Sequence, residues 1–139
     1  VRAYNYIVKS SGCVKDKIYE AIRNIYSKDN DFIVIYNKSG IEKIEINNIV
    51  YIESNKRKII FSTTEFKYEM YEKLDNIYDK VKEKGFIKTH RSYIVNREFI
   101  KKIESRDIIT TTEEIIPISR SKLEEVKNSF MKYLEELIK

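Results

Sequence analysis

One cysteine, one histidine, one proline, three glycines and no tryptophan stand among the 139 residues of this chain. Cys13 alone cannot build a disulfide framework or a multi-cysteine zinc site, and a lone thiol fits a reducing cytoplasm. His90 has no second histidine and no nearby cysteine. A zinc ion there would depend on Asp and Glu for its other ligands, a poor structural set. The scarcity of glycine and proline speaks against low complexity and extended disorder, and no glycine-rich phosphate loop is present. No apolar run approaches the roughly 20 residues that span a bilayer, and the opening residues do not read as a signal peptide. The expectation is a cytoplasmic protein without metal or cofactor.

What is abundant is isoleucine, tyrosine and charge. Hydrophobic residues make up 42% of the chain and tyrosine occurs eleven times, enough for a real core. The formal charge of +5 invites a nucleic-acid reading, but its distribution weakens it. Residues 1–28 hold six Lys or Arg against two Asp or Glu, while the other 111 residues hold 21 against 20. Only the local placement of basic residues can support binding to DNA.

The patterning divides the chain. "AYNYIVK" at 3–9 reads as a strand, and Val14, Ile18, Ala21, Ile22 and Ile25 follow at helical spacing. One strand and one helix do not make a domain, so 1–28 is expected to be the tail of a larger α/β unit. The opening on Val1, in mid-pattern, fits a piece of a longer protein. From residue 29 onward strands dominate: 32–36, 41–46, 49–54, 58–63, and a strand-like "EFKYEM". Met70, Leu74, Ile77, Tyr78 and Val81 predict a helix over about 70–84, ended by Gly85. Strands resume at 86–89, 92–95, 100–104, 107–111 and 115–119, with a turn at "TTE" and Pro117 at an edge or bulge. A last helix is predicted from about Ser121, with Ser121 and Glu124 as a capping box. Its apolar stripe either covers the sheet or forms a dimer surface.

The segment "GFIKTHRSYIVN" poses the chemical question. His90 and Ser92 would share a face of an extended strand, yet residues two apart stand about 6–7 Å from each other along it. That exceeds hydrogen-bond reach, and no oxyanion site is apparent, so no enzyme is expected. Arg91, on the opposite side if the segment is extended, gains weight from two other basic boundaries, "NKRK" at 55–58 and "SRSK" at 119–122. Lys and Arg neutralise phosphates, Arg can pair bidentately with guanine, and Ser or Asn can serve phosphate oxygens. Residue pattern alone leaves two readings open. One is loops that converge on duplex DNA; the alternative is an all-β protein-interaction or ligand-sensing module without DNA binding, its basic loops scattered.

Three stretches in order then carry a resemblance: "INNIVYIES" at 46–54, "YEKLDNIYDKVKEKGFIKTHRSYIVNREFIKKIE" at 71–104, and "IPISRSKLEEVKNSFMKYL" at 116–134. Residues 32–134 resemble the LytTR DNA-binding domain of bacterial two-component response regulators, a family tied to virulence and quorum-sensing control. The resemblance implies a mainly β fold for 29–139, of stacked antiparallel sheets with one internal helix and a C-terminal helix, preceded by the short strand–helix fragment. It implies loops in successive major grooves of direct-repeat promoter sites, with two protomers on one face of bent DNA. The DNA-contacting positions would be Lys56, Arg57 or Lys58, then Arg91, then Arg120 with Ser119, Ser121 and Lys122 on the phosphate side. His90 and Asn96 would be phosphate-side or structural. Residues 1–28 resemble the closing strand and helix of a receiver domain, with Tyr6 as switch aromatic and Lys9 as phosphate-contacting lysine, although Ser10 stands where proline is usual. The parent would answer to a sensor histidine kinase and act as a homodimer on DNA. The chain itself would be a monomer or weak dimer.

Overall fold

A computed structural model of the protein describes residues 31–138. The strand, helix, Tyr6 and Lys9 expected within residues 1–28 lie outside the described residues. The fold begins with an antiparallel hairpin of β1 (Phe32–Asn37) and β2 (Gly40–Glu45). Next come β3 (Ile49–Asn55), β4 (Lys58–Thr63), β5 (Lys67–Tyr71), α1 (Leu74–Val81), β6 (Phe86–His90) and β7 (Tyr93–Asn96). These five strands form one antiparallel sheet in the order β5-β4-β3-β7-β6. A separate three-stranded sheet, order β10-β9-β8, follows from β8 (Ile100–Glu104), β9 (Asp107–Thr110) and β10 (Ile115–Pro117), and α2 (Leu123–Ile138) closes the chain. The mainly β architecture with two helices is the one expected for residues 29–139.

The central sheet is covered on both faces, which explains why "IVYI" in β3 is apolar without alternation. Ile49, Ile52, Ile59, Phe61 and Ile94 belong to a core completed by the β1–β2 hairpin and by Leu74, Ile77 and Val81 of α1. Val50, Tyr51, Ile87 and Val95 face a second core, built with Ile108, Ile116, Ile118 and Val126. Each fully buried isoleucine contributes about 1.5–3 kcal/mol. A slip of β3 would move side chains between two cores of different shape, so the register is strongly specified.

Three expectations shift. The internal helix is shorter than 70–84: Met70 lies in β5, where it is buried opposite Ile59, and strand pairing persists to Tyr71. Met70 sits four residues before Leu74, so it fits the helical stripe, but β4 claims it. The capping box at Ser121 is not formed. Ser119 occupies the N-cap position without a side-chain cap hydrogen bond, and a single 3-10 turn, Arg120–Lys122, leads into α2. Ser92, expected to open the strand at 92–95, instead joins Arg91 in the turn of the β6–β7 hairpin, and β6 runs on to His90. Gly85 does end the helical segment, at φ 85°, and a Cβ added there would meet Arg97 Nε at 3.0 Å. Pro117 lies in β10, an edge strand of its sheet, and Leu123, Val126 and Phe130 seat α2 on the second core.

Candidate nucleic-acid interface

Strand direction brings the three basic boundaries to one end of the central sheet. β3 runs toward the Lys56–Arg57 turn, and β7, its antiparallel neighbour, starts from the Arg91–Ser92 turn with Tyr93 opposite Glu53. A hydrogen bond from the Ser54 amide to the Ser92 carbonyl, 2.8 Å, ties the two turns together. The third boundary reaches the same end along the outer edge of β6. There the Ser119 amide donates to the Thr89 carbonyl at 2.8 Å, one residue before Arg120. With strands about 4.8 Å apart, the first and third boundaries stand roughly 15–20 Å from each other, and Arg91 lies between them.

Lys56, Arg57, Arg91, Arg120 and Ser121 are exposed, while Lys58, Ser119 and Lys122 are partly buried. Lys58 pairs with Glu69 at 3.2 Å and Lys122 with Glu125 at 3.9 Å. Among the described residues, no carboxylate ion-pairs with Lys56, Arg57, Arg91 or Arg120. Lys56 holds φ 61°, a left-handed conformation that costs a non-glycine residue about 1–2 kcal/mol and keeps the turn tight. Asn55 and Tyr71 join Lys56, Arg57 and Lys58 around a shallow hollow at this corner.

His90 is half-buried. Its Nδ1 accepts the Ser92 amide at 3.1 Å, and its ring meets Tyr93 edge-on at 5.8 Å. Nδ1 is therefore an acceptor, which leaves the ring proton on Nε2 as a donor. The partner is the Ser92 main chain, so the hydroxyl is not paired with the imidazole as a nucleophile would be. Tyr93 donates to Glu53 Oε2 at 3.1 Å, and burial together with the Glu53 carboxylate raises its pKa, keeping the hydroxyl protonated. No cluster of His, Cys, Asp and Glu among the described residues could hold a metal.

Asn96 lies elsewhere, at the opposite end of β7. It is 2% exposed; its amide nitrogen donates to the Ile49 carbonyl at 2.9 Å and its oxygen accepts the Glu98 amide at 3.0 Å. Its polar atoms are thus engaged inside the protein. Sequence reasoning missed Thr89, which touches the third boundary, and Tyr71 beside the first. A polar residue flanked by Lys88 and His90 late in an apolar strand was the available signal for Thr89.

Residues 39–131 match the LytTr DNA-binding domain family. The chain belongs to that family. Its curated relatives include the transcriptional regulatory protein NatR of Bacillus subtilis (strain 168), 32% identical over 72 residues, covering 52% of this chain and 31% of NatR. Another is the sensory transduction protein LytT of Enterococcus faecalis, 29% identical over 103 residues, covering 70% of this chain and 43% of LytT. The chain thus spans less than half the length of either relative. A solved LytTr DNA-binding domain from Bacillus cereus superposes with a TM-score of 0.65 at 20% identity, covering 72% of this chain and 96% of that one. That likeness is one of fold. No described helix is long and apolar enough to cross a membrane.

Proposed function

We propose that this LytTr domain is the output module of a response regulator and reads promoter DNA through the three basic corners at one end of its central sheet. The single observation that supports this most is their joining: the Ser54–Ser92 and Ser119–Thr89 hydrogen bonds hold Lys56, Arg57, Arg91 and Arg120, exposed and without a carboxylate partner among the described residues, along one rim. A scattered arrangement would have favoured the interaction-module alternative.

The spacing suits duplex DNA. The minor groove is about 6 Å wide and the major groove about 12 Å, so corners roughly 15–20 Å apart can straddle a minor groove and enter the two major grooves that flank it. Arg57 and Arg120 then face base edges or phosphates on either side, and Arg91 faces the backbone or minor groove between them. Ser119 and Ser121 serve phosphate oxygens, and His90 Nε2–H is a further donor there. Lys58 and Lys122 contribute charge while leaning on Glu69 and Glu125. In the parent, receiver phosphorylation by a sensor kinase would pair two such domains on direct repeats, raising the effective concentration of the second site.

The test starts from a site selected out of a random duplex library. Arg57→Ala, Arg91→Ala and Arg120→Ala are each expected to cost about 1–3 kcal/mol and to relax preference at different base pairs if they read bases. A residue that contacts only phosphate should instead weaken binding evenly across sequences and flatten the salt slope by about 1. Unchanged titrations for Arg91→Ala and Arg120→Ala would overturn the assignment.

A further inference from the structure

The ladder between β6 and β7 carries a defect next to the second corner. Lys88 pairs with Ile94 and His90 pairs with Tyr93. Two steps along β6 therefore match one step along β7, and Thr89 is the extra residue of a β-bulge. A bulge takes its extra residue out of the ladder and re-aims its groups. Here the carbonyl and the hydroxyl of Thr89 both go to the third corner. Its carbonyl accepts the Ser119 amide at 2.8 Å, and its hydroxyl donates to the Pro117 carbonyl at 3.1 Å. Thr89 is 0% exposed, so neither bond has water as a substitute.

On its other side the segment is held by β9 and the turn before it. Pro117 pairs with Asp107, and the Ile118 amide donates to the Arg106 carbonyl at 2.8 Å. Those contacts fix the segment to the three-stranded sheet but not to the hairpin that carries Arg91. Ile116 and Ile118 pack against that hairpin in the second core, and Thr89 adds the hydrogen-bonded attachment, two residues from Arg91 and through a bond one residue from Arg120.

We propose that Thr89 is a positioning residue for DNA recognition, whose paired bonds to Pro117 and Ser119 hold Arg120 in register with Arg91. The inference rests on the DNA reading above and adds a residue that never touches the duplex. Removing its hydroxyl leaves the β9 attachments and the core in place. What it loosens is the placement of one corner relative to another.

Thr89→Val removes the hydroxyl at nearly constant volume. Its expected effect on the affinity of the chain for its selected duplex is a loss of about three- to tenfold, in line with one net hydrogen bond. Base preference should relax only at the positions that Arg120→Ala relaxes, and Thr89→Val with Arg120→Ala should bind no more weakly than Arg120→Ala alone. Thr89→Ser should retain wild-type preference. If valine disturbs folding, comparing Thr89→Ser with Thr89→Ala isolates the same hydroxyl, and the same selective relaxation is expected of alanine. Wild-type preference in Thr89→Val, losses that add to those of Arg120→Ala, or equal relaxation at the Arg57 and Arg91 positions would each overturn the role. An Arg120→Ala variant that binds like wild type would instead remove Arg120 from the interface, and Thr89's role with it.

Discussion

Arg91 and Arg97 are six residues apart on either side of β7, and their surroundings differ in kind. Arg97 lies at the closed end of the sheet. Its guanidinium sits 4.8 Å from the Tyr133 ring and 3.5 Å from Glu136, and its amide donates to the Gly85 carbonyl at 3.0 Å. Beside it Asn96 and Gly85 are packed and bonded within the protein. Arg91 lies at the open end, exposed and without a carboxylate partner among the described residues. One end of the strand uses its polar groups to terminate the fold; the other leaves its cation exposed. The difference shows why a count of basic residues is uninformative here and why placement decides.

The largest effect separating the two ends is expected at Asn96. Asn96→Ala leaves the Ile49 carbonyl and the Glu98 amide without their side-chain partner, and should lower unfolding free energy by about 2–4 kcal/mol, read by chemical denaturation. DNA affinity per folded molecule should not change. Arg97→Ala should cost about 1 kcal/mol, because a partly exposed ion pair and a cation–π contact are each worth little. Its duplex titration should match wild type, in contrast to that of Arg91→Ala. A DNA defect in Arg97→Ala would break the comparison.

The smallest effect concerns pH. The hydrogen bond and charge of Lys88, 2.6 Å from Asp75 Oδ1, hold the Asp75 carboxyl below its ordinary range. A depressed folded-state pKa gives stability that is present above the unfolded value and lost as pH falls through the folded one. Asp75→Asn should therefore be slightly less stable than wild type at neutral pH. The difference should shrink below about pH 4, where the unfolded carboxylate protonates. Parallel melting curves across pH would show that this contact between α1 and β6 contributes nothing.

Much of the fold was legible because burial on two faces writes itself into residue choice. Isoleucine-rich runs separated by "NKRK" and "TTE" marked the strands and turns, and Pro117 marked an edge or bulge. The start of α1 was not legible, since Met70 fits both a helical stripe and a strand, and only pairing with β4 decides between them. The Thr89 bulge was hidden for a related reason: an inserted residue breaks alternation without changing composition. The basic corners could be named from sequence because each sits at an element boundary. Their meeting at one end depends on the strand order β4-β3-β7-β6 and on the contact between Thr89 and Ser119, residues thirty positions apart.

The most direct measurement of the central claim is amide chemical-shift mapping of the chain during titration with its selected duplex. The account expects the largest changes at Lys56–Lys58, at Thr89–Ser92 and at Ile118–Lys122, all saturating together, with little change at Gly85 and at Asn96–Glu98. Changes centred on Gly85, Asn96 and Arg97, or spread over corners that saturate at different DNA concentrations, would contradict it.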